Sequence, residues 1–141
     1  IYVCDKDPKI SNYTYQFYPY DYKNLPELLM KGDIKIAPRD MTDSYNWGHA
    51  FTKIGYPMSV GIPVIASPVP SYIGRNAVIC NNDQEWYTAL KRLLDSAEER
   101  EQQGQLGKDT AKLFSIDIIG EKYLELFRKL GYDCSEVRRM T

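Results

Sequence analysis

The chain has 141 residues, 43% of them apolar, which suits one domain of ordinary size with a real core. Eighteen Lys and Arg face nineteen Asp and Glu, so the net charge is only −1. That balance argues against a general nucleic-acid or acidic-membrane binder, which carries a marked basic excess, and leaves room for one local basic pocket. No apolar run approaches the roughly 18–20 residues that span a bilayer, and none reads as a signal peptide. Cys4, Cys80 and Cys134 are too widely spaced for a zinc pattern or a disulfide framework, so reduced thiols in a cytoplasmic protein are expected. The chain opens Ile1-Tyr2-Val3-Cys4, without Met and already inside a strand-like run, as a piece of a longer protein would.

In chain order, Ile1–Cys4 reads as a short strand closed by the turn-rich Asp5-Lys6-Asp7-Pro8. Alternation places a second strand near Thr14–Tyr18. Asn24-Leu25-Pro26-Glu27 has the form of a capping box, with Pro26 in the first turn and Gly32 as the stop. Ile34-Lys35-Ile36-Ala37 predicts a strand ended by Pro38, and a polar loop follows to about Tyr45. A helix is expected from about Trp47 to Val60, stopped by Gly61, with Pro57 causing a kink or a late start. Pro63–Ala66 and Ala77–Cys80 read as strands. Three helices close the chain. The first two are announced by Asn82-x-x-Glu85 and Ser96-x-x-Glu99, and the third is capped by Ser115, with an apolar face through Ile116, Ile119, Tyr123, Leu126, Phe127 and Leu130. Gly131 ends it, and Tyr132–Thr141 is a tail without pattern.

This alternation predicts an α/β fold: a Rossmann-like parallel sheet with helices on both faces, over residues 1–131. Ligands of such sheets sit at the carboxyl ends of the strands. Two loops leave strands there, Pro38–Asn46 and Ser67–Arg75. Arg39, Asn46, His49 and Lys53 gather near the first. On a helix, His49 and Lys53 share one face near free backbone amides, so a phosphate or diphosphate would meet an ammonium, an imidazole and N–H groups. A solvated helix face is the plain alternative. No metal site is expected, because no second His or Cys stands at ligand spacing. No Gly-rich phosphate loop or nucleophile elbow is present, and Asp40 and Asp43 read as helix-capping or solubility residues rather than an acid/base pair. Pro68 and Pro70 stiffen the loop after Ser67.

The run Lys53-x-x-Tyr56-x-Met58-x-x-Gly61-x-Pro63-Val64-Ile65-Ala66-Ser67, with Asn46-x-x-His49 upstream, resembles the donor-binding half of GT-B glycosyltransferases. It is closest in form to the bacterial group 1 type that builds surface polysaccharides. Leu25–Pro38, Asp83–Leu94 and Phe114–Leu130 are similar to flanking segments of that family. The resemblance implies the C-terminal half of a GT-B architecture without its first strand and helix. It implies a nucleotide-diphosphate sugar as substrate, no cofactor, and an acceptor glycan or lipid-linked sugar held by an N-terminal domain outside this chain. The full-length protein would then work in the cytoplasm or at the inner face of the membrane.

On this resemblance Lys53, His49 and Arg39 contact the donor diphosphate, and Asn46, Tyr56, Ser67 and Tyr72 lie against the nucleotide or sugar. Catalytic groups are not assigned. Tyr56 departs from the family pattern, which often has a ribose-binding glutamate there, and Gly48 stands where a second acid is common. Two other readings stay open: a sugar-nucleotide epimerase of the same fold, and a non-catalytic α/β module whose donor pocket has decayed.

Overall fold

The centre of the fold is Val64–Ala66, a strand whose three residues are all buried. A strand covered on both faces needs apolar side chains in succession, and Val64-Ile65-Ala66 supplies them; burying a Val or Ile contributes roughly 1.5–3 kcal/mol. The computed structural model describes residues 2–4, 6–7 and 9–134. In chain order these form β1 (Tyr2–Cys4), β2 (Phe17–Pro19), α1 (Leu25–Leu29), β3 (Lys35–Ala37), a 3-10 turn (Ser44–Gly48) and α2 (Thr52–Ser59). They continue with β4 (Val64–Ala66), β5 (Val78–Ile79), α3 (Asp83–Asp95), α4 (Ala97–Lys112) and α5 (Ile116–Lys129).

Every strand pairing is parallel, as the alternation predicts. β4 lies between β3 and β5, with Lys35 opposite Val64, Ala37 opposite Ala66 and Ile65 opposite Val78. The expected single sheet is instead two among the described residues, because β1 and β2 pair only with each other. Pro19 ends β2 and Pro38 follows β3, so neither strand extends its ladder.

Helices do cover both faces of the three-stranded sheet. On one face Val64 and Ala66 pack with Ile54 and Met58 of α2, with Ala111 of α4 at the margin. On the other, Ile65 and Cys80 pack with Ala89 and Leu93 of α3. α2 and α4 make the largest contact between helices, and two glycines permit it. A Cβ on Gly104 would fall 2.1 Å from the Gly61 carbonyl oxygen, and one on Gly107 would press Met58.

The caps explain most helix ends. Asn82, Ser96 and Ser115 each accept a backbone N–H from three residues on, as expected. Glu85 completes its box one residue early, taking the Asn81 N–H rather than that of Asn82. Asn24 does not cap α1; its amide donates to Asp21 instead. α2 ends in a Schellman motif: the Ile62 N–H reaches the Pro57 carbonyl, the Gly61 N–H reaches Met58, and Gly61 takes φ +83°.

α5 departs from a core helix. It forms where predicted, yet buries none of its residues, and Ile116, Tyr123 and Leu130 are all exposed. Among the described residues no helix is long and apolar enough to cross a membrane. Cys80 and Cys134 are free and buried, and the Cys4 side chain lies outside those described. Of the tail, residues 135–141 lie outside the described set.

Candidate functional site

The loops leaving β3 and β4 are laced together at the carboxyl edge of the sheet. Ser67, 4% exposed, accepts the Arg39 N–H at 2.8 Å and donates to the Arg39 carbonyl at 3.2 Å. Four residues on, the Ser71 hydroxyl donates to the His49 carbonyl at 2.5 Å. Two short hydroxyls thus fix the backbone at both ends of the segment that carries the basic residues. Ser67 is therefore a strut under Arg39, with its hydroxyl already occupied.

Between these struts the segment ties itself down. Asp40 accepts from the Thr42 hydroxyl and N–H, which hold its carboxyl below the usual range. Asp43 caps the 3-10 turn at Tyr45. Asp43 is the cap the sequence suggests, whereas Asp40 closes a local turn instead. The Asn46 amide nitrogen donates to the Asp40 carbonyl at 2.9 Å, which fixes its orientation and turns Oδ1 towards His49 Nε2 at 3.2 Å. A carbonyl oxygen only accepts, so this contact is a hydrogen bond in the tautomer with the proton on Nε2, which leaves the Nδ1 lone pair as an acceptor. Asn46 thus orients His49.

The predicted helix from Trp47 starts late. Gly48 ends the 3-10 turn, His49 is extended with ψ 132°, and α2 begins at Thr52. His49 and Lys53 therefore do not share a helix face. Three amides at the start of α2 are also taken: Lys53 N–H reaches the Ala50 carbonyl, and Ile54 and Gly55 reach Phe51.

Those side chains still converge. Burial, then Arg39 and Lys53, push the His49 imidazole below its ordinary value. Burial, then Lys53 and Arg39, push the Lys35 ammonium down as well. Four groups that can be positive thus feel one another, and among the described residues no carboxylate forms an ion pair with Lys35, Arg39, His49 or Lys53. Lys35 is the residue that sequence reasoning passed over. It enters from β3 on the same face as Ala37, the face that packs under α2.

Tyr72 sits at 0% exposure in the core beside Arg39. Burial raises its phenol above the usual range, and the Arg39 charge opposes that shift. Arg39 approaches the Tyr72 hydroxyl closely enough to lower its pKa, but the contact falls short of regular hydrogen-bond geometry, and neither the hydroxyl nor Arg39 Nε has another partner among the described residues.

Two cavities flank α2. One, of about 650 Å³, lies between α2 and α4 and is lined by Phe51, Tyr56, Lys108 and Phe114 among others. The other, of about 380 Å³, lies between α1 and α2 and includes Lys35, Lys53 and Tyr56. Tyr56 is 57% exposed and borders both, and no acid lines either one. Among the described residues no three of His, Cys, Asp and Glu gather as a metal site would require. Neither a family model, nor a curated protein, nor a solved structure matches this chain.

Proposed function

We propose that this domain binds the diphosphate of a nucleotide sugar, as the donor-binding part of a GT-B glycosyltransferase. The observation that carries the reading is the mutual electrostatic influence of Lys35, Arg39, His49 and Lys53 around β3 and its exit, with no carboxylate ion pair to any of them among the described residues. Like charges held together without an acid are relieved by an anion, and a diphosphate brings two negative phosphates into their reach. In the reaction proposed for the full-length protein, an acceptor hydroxyl replaces the nucleoside diphosphate on the sugar's anomeric carbon. Charge develops on the departing diphosphate, and Lys53 and Arg39 stabilise it; His49, when protonated, adds a donor. Tyr56 offers a hydroxyl where the resembling family often has an acid.

The absence of an acid from both cavities favours a second reading, a module that binds a nucleotide without transferring sugar. Calorimetric titration of the chain with UDP, GDP and ADP tests the site that both readings share. At least one nucleotide is expected to bind, with Lys53→Ala weakening it about tenfold, the weight of one charged contact to phosphate. A folded sample that gives no heat with any of the three would exclude the donor site. Sugar transfer by the full-length protein then separates enzyme from module.

A further inference from the structure

The groove between α1 and α2 has a composition that a diphosphate alone does not explain. Its walls are Leu25, Leu28 and Leu29 of α1 and Pro57 and Ile62 from α2 and its cap. Its charged residues are Lys35 and Lys53. Lys35 is half-buried and held below its ordinary value, first by that burial. A lysine without an acid, set against leucines, is a polar head waiting on an apolar body.

We propose that this groove binds an alkyl phosphate monoester, with the phosphate against Lys35 and Lys53 and an unbranched apolar chain along Leu25, Leu28, Leu29 and Ile62. The charge of the head follows from the count: the two ammonium groups that line the groove match a monoester of up to two negative charges better than a carboxylate of one. The nature of the body follows from the walls. Apart from the lysines, only Thr52, Tyr20 and Tyr56 bring polar side chains to the groove, so a sugar or nucleobase would leave polar groups unpaired against leucine. A saturated chain leaves none. The proposal uses the cationic edge of the donor reading for its head group and is independent of it for the chain.

Titration of the 141-residue chain with octyl phosphate, inorganic phosphate and octanol reads head and body separately. Octyl phosphate is expected to bind at least about tenfold tighter than inorganic phosphate, since burying even a few methylenes is worth that factor, and tighter than octanol through the charged contacts of its phosphate with Lys35 and Lys53. Lys35→Met removes most of the gain by deleting the head contact and keeping the stem. Leu28→Glu removes it by charging the wall. Leu126→Glu, on the exposed face of α5, leaves it intact and so reports any non-specific uptake there. Octyl phosphate binding no tighter than inorganic phosphate overturns the proposal. So does a loss with Leu126→Glu as large as with Leu28→Glu, or a folded Lys35→Met protein of unchanged affinity. If Leu28→Glu does not fold, Lys35→Met decides alone. Nucleotide binding without octyl phosphate binding removes the groove and keeps the donor reading; the reverse removes the donor reading and keeps the groove.

Discussion

His49 is where charge, position and titration meet. Asn46 faces its Nε2, Ser71 holds its backbone, and burial, then Arg39 and Lys53, keep its ring below the ordinary value. A bound anion favours the imidazolium, so the bound pKa lies above the free one, and protons are taken up between the two. Affinity for a nucleotide sugar, whose diphosphate has no proton to gain near neutrality, should therefore rise as pH falls through the bound pKa of His49 and level off below its free one. His49→Gln should flatten that profile in a calorimetric series; a profile unchanged by the substitution would remove His49 from the site. Arg39, His49 and Lys53 were legible in the sequence as a basic group near one strand exit. Lys35 was also within reach of sequence reasoning, because period two places it on the face of Ala37, under the helix. The hydroxyl struts were not legible. Ser67 and Ser71 bond to residues 28 and 22 positions away, and no local pattern encodes such a partner. Tyr72 likewise reads as an exit-loop residue until the fold closes over it.

At the level of elements, three of the capping residues and all the strand positions follow from local chemistry, with shifts of a few residues at their ends. Asn24 does not cap because its backbone is already helical, at φ −98° and ψ −2°, and α2 starts late because the chain forms a 3-10 turn first. The spacing of Gly104 and Gly107 meant nothing locally; it records how closely α4 approaches α2. Gly104→Ala places a Cβ against the Gly61 carbonyl and should cost about 1–3 kcal/mol or more, since backbone must yield. A thermal melt is expected to shift down by roughly 5 °C or more; an unchanged melting temperature would mean that α2 and α4 are not packed this closely. α5 predicts the opposite. Its face is apolar at helical spacing, which the sequence shows, but its exposure depends on tertiary placement. Leu126→Glu should leave stability within about 0.5 kcal/mol of wild type. A large loss in chemical denaturation would show that this face is covered in solution.

For the whole molecule, the α/β class and the parallel pairing follow from the alternation of short apolar runs with helices. The division into two sheets does not, because strand partners are chosen over distances that periodicity cannot carry. What the fold achieves is a rigid carboxyl edge. β3 and β4 are parallel neighbours, their exit loops are bonded to each other, and the segment between them presents Arg39, His49 and Lys53 with Lys35 rising from beneath. The central claim is that this edge holds a diphosphate. A crystal structure of the chain with excess UDP, GDP or ADP tests it most directly. The account predicts phosphate oxygens within about 3 Å of Lys53 Nζ and the Arg39 guanidinium. A nucleotide bound elsewhere, with these cations facing solvent, would contradict it.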